Sequence, residues 1–269
     1  MRVACPAKIN TFLSVGPPDT TGYHPIRTIF QAVGLFDYLT IVPAQDGVAE
    51  VTSDWADLPR ENTLTKVLRF CGELIDIPPL KIHLEKNIPS QAGLGGGSSD
   101  AAGLLRGLEA MLGSFAMSHK EMVAEAVGAD VPFFLVGGRA KGEGYGQILT
   151  PLPDPQPMWA VIAKPSIGIS TADAYARLDA EEREWKPFPE NESEFYNDFE
   201  RVMPCDIDDM REHLLVKKAS MAGLSGSGSA VFGLFSSVEL ANHASEGLRR
   251  DAEVFVVPLL TREESLWIS

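Results

Sequence analysis

The stretch PSQAGLGGGSSDAA, residues 89–102, places four glycines between two elements of regular structure. Before it, residues 80–85 alternate apolar and polar side chains as a half-buried strand does. After it, apolar residues from Ala101 to Leu112 recur at helical spacing. A helix start exposes unpaired N–H groups and the positive end of the helix dipole, and glycines let a ligand approach the backbone closely. The stretch therefore predicts an anion site of the kind that holds phosphate.

The same stretch excludes two better-known phosphate loops. It has no Gly-Lys-Ser or Gly-Lys-Thr, as a Walker A loop does, and it lacks the third glycine of a dinucleotide-binding fingerprint. We expect Ser98, Ser99 or Asp100 to cap the helix, and we expect Ser98 and Ser99 to offer hydroxyls to a phosphate or to Mg²⁺. A flexible loop before an ordinary helix is the alternative that this segment alone leaves open.

The rest of the chain predicts an α+β fold in two domains. Strand and helix patterns occur without regular alternation, the strands at 2–15, 38–43, 159–165, 230–235 and 253–257 and the helices at 64–74 and 206–219. Proline-rich residues 147–158 indicate a boundary. We therefore expect one domain at residues 1–150 and a second at residues 151–269.

The net charge and the cysteine content limit which partners the protein is expected to bind and in which compartment it is expected to occur. The 269 residues carry 23 Lys and Arg against 37 Asp and Glu, a formal net charge of -14, without the basic cluster that nucleic-acid binding needs. A nucleotide must then be held by backbone N–H groups, a few cations and a metal. We see no signal peptide and no apolar run long enough to span a membrane, and we expect Cys5, Cys71 and Cys205 to be reduced, buried small hydrophobes. These features predict a cytoplasmic protein that binds neither nucleic acid nor a membrane.

Two further segments contain polar side chains that are candidates for catalytic residues. In PAKIN, residues 6–10, strand alternation puts Lys8 and Asn10 on one face, although a solvated strand face would look the same. In VGADVPFF, residues 127–134, Asp130 follows a predicted helix end inside an apolar segment and needs partners there. Asp130 either forms an Asx turn or directs its carboxylate into a cleft, where it could accept a hydroxyl proton.

A second loop rich in glycine and serine occurs late in the chain. It reads GLSGSGSA, residues 223–230, and leads into a predicted strand. By itself it is compatible with a plain turn between two elements. Two such loops in one chain suggest a polyanionic ligand held between two lobes.

The four segments, in this order, resemble the motifs of the GHMP kinase superfamily, and the resemblance spans nearly the whole chain. Lys8, the Gly22-Tyr23-His24 segment, residues 128–132 and residues 197–200 resemble the branch that phosphorylates a cytidine diphosphate-linked alcohol in isoprenoid biosynthesis. The resemblance implies an N-terminal ribosomal S5-like domain that holds ATP and a C-terminal ferredoxin-like domain, with the substrate between them.

The resemblance also implies roles for individual residues. Lys8 and Asp130 match the catalytic pair, and Asn10 matches a polar contact near the transferred phosphate. The cofactors implied are ATP and Mg²⁺, with Ser98 or Ser99 as the protein ligand of the metal. The loop that holds the ATP phosphates matches Pro89, Ser90, Gln91, Ala92, Gly93, Leu94, Gly95, Gly96, Gly97, Ser98 and Ser99.

For the acceptor substrate, Tyr23 and His24 match the residues that recognise cytidine, and Phe195 matches an opposing aromatic ring. The sequence departs from the family pattern at Thr21, Pro25 and Gln147, and residues 180–194 have no clear counterpart. Three alternatives remain open at this point: a GHMP kinase acting on mevalonate, homoserine or a sugar, a binding protein of this fold without catalysis, and a GHMP-type decarboxylase.

Overall fold

The structure, a computed structural model, describes residues 1–56, 58–113, 117–190 and 194–269. Its strands in chain order are β1 Arg2–Val15, β2 Ile26–Pro43, β3 Glu50–Ser53, β4 Leu80–Glu85, β5 Arg139–Glu143, β6 Ile148–Pro151, β7 Trp159–Pro165, β8 Tyr196–Asn197, β9 Met221–Leu224, β10 Val231–Phe235 and β11 Ala252–Pro258.

The helices in chain order are α1 Thr63–Gly72, α2 Gly96–Leu112, α3 Met117–Val127, α4 Val131–Val136, α5 Thr171–Leu178, α6 Cys205–Val216, α7 Val238–Ser245 and α8 Arg262–Ser265, and a 3₁₀ helix spans Asp198–Val202. Two mixed layers of strands and helices confirm the predicted α+β class. In the described ranges, no helix is long and apolar enough to cross a membrane.

Two sheets organise these elements. The larger has the order β3-β4-β2-β1-β8, with β5 paired to β2 and β6 paired to β5; the smaller has the order β11-β7-β10-β9. Most of the first sheet comes from the first half of the chain, and the second sheet comes entirely from the second half. The chain then returns to the first sheet, where Leu259 pairs with Val33 and Ile268 pairs with Val3. The domain limits 1–150 and 151–269 stay a prediction.

Helix α2 lies unusually close to the central strands of the first sheet. A Cβ added at Gly103 would lie 2.3 Å from Cys5 Sγ, and one at Gly107 would lie 2.5 Å from Ile41 Cδ1. Only glycine permits this approach, because a side chain would occupy the same space as the strand residues. The close packing fixes where the N-terminus of α2, and the loop before it, sit above the sheet.

Two hydrophobic clusters join the halves of the chain. Leu13 and Val15 of β1 pack with Val161 and with helices α5 and α6. Ile9, from the same strand, packs with Ile162 of β7 and with other residues of the second sheet. Strand β1 thus takes part in both clusters, so residues near Lys8 and Asn10 lie where the two sheets meet.

The observed elements differ from the sequence-based expectations at several points. Strand β2 begins at Ile26 rather than near residue 38, because its first half is buried almost throughout, polar Thr28 and Gln31 included, and so lacks the alternation that marks a half-buried strand. None of Ser98, Ser99 and Asp100 caps α2: the helix starts at Gly96, and its N-cap is Gly95, in the left-handed conformation, without a side-chain hydrogen bond. Cys5 and Cys71 are buried and unpaired as expected, but the free Cys205 is exposed at the start of α6.

Candidate active site

The first glycine loop has a backbone that only glycine adopts readily. Gly93 and Gly95 both have positive φ, 72° and 73°. A Cβ at Gly93 would lie 1.9 Å from the carbonyl oxygen of Ser225, and one at Gly95 would lie 2.8 Å from the Phe134 ring. The absence of a side chain at these two glycines lets the loop pack against Ser225 and Phe134, and the loop and the start of α2 border the space in front of them.

That space is a pocket of about 420 Å³. The loop residues from Pro89 to Ser98 form one side of it. The other side is more apolar and comes from the segment before α1 and from α1 itself: Trp55, Leu58, Pro59, Asn62, Thr63 and Leu64. Sequence reasoning missed this second side, because its residues follow no motif and are brought to the loop only by the fold. A phosphate-binding edge beside an apolar wall suits a nucleotide.

A buried cluster of charges supports the loop from below. Lys86 bonds to Asp100 Oδ2 at 3.1 Å and also to Asp37, both nearly buried carboxylates. Asp37 in addition accepts the backbone N–H of Ile88 at 2.7 Å. Burial lowers the pKa of Lys86, but Asp100 and Asp37 outweigh it and raise that pKa overall. Burial raises the pKa of Asp100 well above its ordinary value. No motif in the sequence marks this cluster.

The two glycine loops contact one another directly. The carbonyl oxygen of Gly93 accepts hydrogen bonds from Lys8 Nζ at 2.7 Å and from Ser225 Oγ at 2.9 Å. The backbone N–H of Ala230 donates to the carbonyl of Ala92 at 3.2 Å. The second loop thus does not stand apart as an independent phosphate cradle; it braces the first loop and Lys8 at the junction of the sheets.

Residues 197–200, which the family resemblance covers without assigning them a role, hold the second loop in place. Asn197 donates from Nδ2 to the carbonyls of Leu224 and Gly226, both at 2.8 Å. Glu200 Oε1 accepts the backbone N–H of Leu224 at 2.9 Å. Asp198 accepts the N–H of Val15 at 2.7 Å and so ties the segment to β1.

Lys8, Asn10 and Asp130 come together as expected from the sequence. Lys8 Nζ donates to Asn10 Oδ1 at 2.6 Å and lies 3.8 Å from Asp130 Oδ2. Asn10 in turn donates to Thr28 Oγ1 at 2.7 Å, which fixes the direction of its amide. Burial lowers the pKa of Lys8, and the charge of Asp130 acts in the opposite direction. The carboxylate remains one third exposed and forms no Asx-type cap on α4.

These three residues line a cleft of about 270 Å³ that also contains Gly93 and Gly95 of the first loop. The same cleft is bordered by Thr171 and Tyr175 of α5, by Phe199 and by Ser227 of the second loop. Because Gly93 and Gly95 border both cavities, the cleft and the larger pocket meet at the glycine loop. A phosphoryl group held at that loop would lie beside Lys8 and Asp130.

Tyr23 and His24 lie at a different part of the molecule surface from Phe195. The Tyr23 side chain is 69% exposed, with its ring 5.8 Å from that of Tyr145, which borders the cleft. His24 bonds through Nδ1 to the carbonyl of Gly16 at 2.9 Å, has Nε2 3.3 Å from Asp179 Oδ2, and stacks on Tyr175 at 5.0 Å.

Phe195, by contrast, packs within the hydrophobic cluster between the sheets. Its ring occupies the space beside Gly223, where an added Cβ would lie 1.9 Å from Cζ, and meets Phe232 edge-on at 5.7 Å. It does not border the cleft that holds Lys8 and Asp130. The structure therefore does not place Phe195 as a ring opposite Tyr23, because its side chain, directly before β8, packs against Gly223 and Phe232 of the second sheet.

The metal-ligand candidates Ser98 and Ser99 differ in their surroundings. Ser98 is half-buried and borders the nucleotide-sized pocket. Ser99 is fully buried, and its hydroxyl has no hydrogen-bond partner among the described residues. The described part of the chain contains no cluster of three or more His, Cys, Asp or Glu able to hold a metal. A Mg²⁺ ion that takes most of its ligands from phosphates and water needs no such cluster, so the half-buried Ser98 hydroxyl at the edge of the pocket suits it.

Comparison with known proteins shows the family to which the chain is similar. Residues 62–138 match the family model described as GHMP kinases N terminal domain. The 4-diphosphocytidyl-2-C-methyl-D-erythritol kinase of Geobacter metallireducens is 35% identical over 274 residues, covering 96% of this chain and 97% of the relative. The kinase of the same name from Exiguobacterium sibiricum is 34% identical, covering 96% and 97%.

Solved structures show the same fold. A crystal structure of 4-(cytidine 5'-diphospho)-2C-methyl-D-erythritol kinase superposes with a TM-score of 0.82 at 32% identity, covering 96% of this chain and 99% of that one. Homoserine kinase from Cytophaga hutchinsonii has a TM-score of 0.73 at 19% identity, covering 97% and 94%. The second likeness concerns the fold alone.

Proposed function

We propose, since the chain belongs to the 4-diphosphocytidyl-2-C-methyl-D-erythritol kinase family, that it transfers the γ-phosphoryl group of ATP to the 2-hydroxyl of 4-diphosphocytidyl-2-C-methyl-D-erythritol, in the non-mevalonate route to isoprenoid precursors. The observation that carries the proposal is the junction of two cavities at one glycine loop, with Lys8 and Asp130 beside it. Such a junction brings two substrates together at the atoms that react.

In this reaction Asp130 accepts or orients the proton of the attacking hydroxyl. Its carboxylate is partly exposed to the cleft, so a substrate hydroxyl can reach it. Lys8 stabilises negative charge on the group in transfer. Because phosphoryl transfer passes through a loose transition state, positioning and charge neutralisation supply most of the catalysis.

For ATP, the pocket between the first loop and the Trp55 side provides the binding site. The loop backbone and the N-terminus of α2 receive the phosphates, and the apolar residues Trp55, Leu58 and Leu64 receive the base. Ser98 is the better placed of the two serines to contact Mg²⁺, which would neutralise charge on the phosphates.

For the acceptor, Tyr23 and His24 form the cytidine-binding side of the cleft. Tyr23 offers an exposed ring face for stacking, and the position of His24 is set by Gly16 and Asp179. Phe195 is not included in this cytidine-binding side.

We also propose that the chain divides into two domains, residues 1–150 and residues 151–269. We propose in addition a cytoplasmic location, which the unpaired cysteines support.

The test is ADP release measured with 4-diphosphocytidyl-2-C-methyl-D-erythritol, mevalonate, homoserine and a hexose as acceptors. We expect turnover with the cytidine diphosphate compound alone. Turnover with another of the four acceptors would reassign the substrate within the superfamily. Nucleotide binding without ADP release from any of them, under conditions where a known relative turns over, would contradict the kinase mechanism.

A further inference from the structure

The segment that follows α5 passes beside the end of β1. The family resemblance leaves residues 180–194 without a counterpart, so its motifs assign no role to this segment. The backbone N–H of Lys186 donates to Ser14 Oγ at 2.9 Å, and Arg27 donates to the carbonyl of Lys186 at 3.2 Å. The guanidinium group of Arg27 also lies 4.0 Å from the centre of the Trp185 ring. These contacts hold the segment against the last residues of β1 and the start of β2.

Arg183, in the same segment, joins the end of β1 to the end of α5. Its charged side chain is only 9% accessible. Nε donates to the carbonyl of Val15 at 3.3 Å, and Nη2 donates to that of Gly16 at 3.4 Å. Nη1 donates to the carbonyl of Leu178 at 2.5 Å, and Nη2 donates also to Asp179 Oδ1 at 3.3 Å. The planar guanidinium thus binds four acceptors in directions that its shape fixes.

Two of these four acceptors also hold the ring of His24. Nδ1 of His24 donates to the carbonyl of Gly16 at 2.9 Å. Nε2 lies 3.3 Å from Asp179 Oδ2, which is the second oxygen of the carboxylate that Arg183 binds. A carbonyl oxygen has two lone pairs and a carboxylate has two oxygens, so each group can serve both side chains. Arg183 therefore fixes the two groups between which the imidazole lies.

The bonds to Val15 and Leu178 by themselves would indicate a purely structural role, because a cation commonly stabilises the end of a helix. The shared acceptors indicate more. The Asp179 side chain is 43% accessible, and holding it in one rotamer costs conformational entropy, which its bond to Arg183 offsets. A change in Asp179 would in turn release one side of the His24 ring. The placement of His24 therefore depends on Arg183.

We propose that Arg183 is a positioning residue for the acceptor substrate, which acts by holding Gly16 and Asp179 and, through them, His24. The inference rests on the proposed function for the identity of the acceptor and for the place of His24 on the cytidine-binding side. Arg183 borders neither the cleft nor the nucleotide-sized pocket, so its effect on binding passes through His24. Removal of the guanidinium weakens binding of the cytidine diphosphate compound and leaves ATP binding unchanged.

The test is a double-mutant cycle of Arg183→Met and His24→Ala. Binding of CDP is measured by calorimetry with the wild type, both single variants and the double variant. We expect Arg183→Met to weaken CDP binding about fivefold or more, as for one lost hydrogen bond. In the His24→Ala background the same change should cost little further affinity, because the effects of residues that act through one another are not additive. In steady-state kinetics KM for the acceptor should rise, and KM for ATP should not.

Two further variants separate position from charge. Arg177→Met, the same chemical change at an exposed position of α5, is the matched control and should leave CDP affinity unchanged. Arg183→Lys keeps the positive charge but cannot bind the four acceptors together. We expect it to weaken CDP binding as Arg183→Met does. If thermal unfolding shows that Arg183→Met does not fold, Arg183→Lys takes its place in the cycle.

The outcomes separate this inference from the proposed function. Losses of CDP affinity that multiply in the double variant would show that Arg183 acts independently of His24, and would overturn the inference. Unchanged affinity in folded Arg183→Met, wild-type affinity in Arg183→Lys, or no effect of His24→Ala would overturn it as well. If the wild type itself neither binds CDP nor turns over the cytidine diphosphate acceptor, the proposed function fails, and the inference fails with it.

Discussion

Lys8 Nζ lies 3.8 Å from Asp130 Oδ2, beyond the length of a direct hydrogen bond and within that of an ion pair. The two groups are unequally exposed: the Lys8 side chain is 4% accessible, and that of Asp130 is 33%. Lys8 Nζ donates its hydrogen bonds to Asn10 and Gly93 rather than to Asp130. The Asp130 carboxylate therefore stays accessible from the cleft. This asymmetry suits a carboxylate that receives a substrate proton and a cation that stays in place.

Asp130→Asn should lower kcat while ATP still binds. The amide has nearly the same shape but cannot take a proton, and a general base typically contributes about 10²–10⁴-fold to the rate. The measurement is ADP release with the cytidine diphosphate acceptor, together with calorimetric binding of a non-hydrolysable ATP analogue. Asp46→Asn, in an exposed loop, is the control and should match the wild type. Near-normal turnover of Asp130→Asn would show that the carboxylate is not the base or the orienting group.

Deprotonation of Lys8 should set the alkaline limb of the pH–rate profile. Burial lowers the pKa of Lys8, so its ammonium loses the proton at a lower pH than an ordinary lysine does. Since the mechanism needs the charged form, kcat/KM should fall as pH rises through this lowered pKa. In Lys8→Arg the guanidinium stays charged, so the limb should disappear, although the rate is lower. If the limb persists unchanged in Lys8→Arg while the protein remains folded, another group titrates.

Short-range sequence patterns predicted the elements around the site better than they predicted their contacts. The strand at 80–85, the glycine loop and helix α2 follow from local periodicity, and Lys8 and Asn10 share a face because a strand alternates. The position of Phe195 could not be read in this way. The family resemblance implied a position opposite Tyr23, but the direction of the Phe195 side chain depends on its contacts with Gly223 and Phe232, which lie far along the chain.

The helix cap and the buried charges were missed for related reasons. Serines near a helix start usually cap it, but here Gly95 takes the left-handed conformation and the helix begins before the serines. Nothing in the spacing of Asp37, Lys86 and Asp100 indicates that they meet. Asp37 lies in β2, Lys86 directly after β4 and Asp100 in α2, and only the packing of these parts brings them together. Tertiary contacts of this kind are set by how α2 packs on the sheet, which a single sequence does not display.

Gly97→Val should weaken ATP binding with little loss of stability. A Cβ at Gly97 meets only Thr63, at 3.6 Å, so a side chain fits the protein but projects where the phosphates approach. Gly96→Val is the less informative variant, because a Cβ there would lie 2.8 Å from Lys86 Nζ and disturb packing. Calorimetry with a non-hydrolysable ATP analogue should show at least a tenfold loss, about 1.4 kcal/mol. Unchanged affinity in folded Gly97→Val would contradict the phosphate-loop assignment.

Tyr23→Ala should raise KM for the cytidine diphosphate acceptor without a loss of thermal stability. The ring is largely exposed, so removing it costs little packing, and stacking on a base is worth about 1–3 kcal/mol. Tyr23→Phe, which keeps the ring, should recover most of the affinity. His24→Ala should relax selection against a uridine analogue, but it also removes contacts with Gly16 and Tyr175, so unfolding must be measured beside KM. Unaltered KM in Tyr23→Ala would move the base site elsewhere.

The cluster of Asp37, Lys86 and Asp100 holds two buried carboxylates around one cation. The free energy of unfolding of the protein should therefore depend on pH. Asp100 Oδ1 has no hydrogen-bond partner among the described residues, and burial raises the pKa of this carboxyl in the folded state. Between the ordinary aspartate pKa of about 3.9 and the raised value, the folded protein binds more protons than the unfolded chain. The contribution of Asp100 to the free energy of unfolding therefore falls as pH rises through that window.

Asp100→Asn should remove this dependence, because the amide does not titrate. As pH rises, the wild type should lose free energy of unfolding relative to Asp100→Asn. Urea denaturation of both proteins at several pH values measures this difference. Lys86→Met should instead cost about 3–5 kcal/mol near neutral pH, since it leaves two buried carboxylates without their cation. Lys81→Met, at an exposed position of β4, is the matched control. A pH-independent difference for Asp100→Asn would mean that Asp100 stays ionised in the folded protein throughout, with Lys86 compensating for its burial.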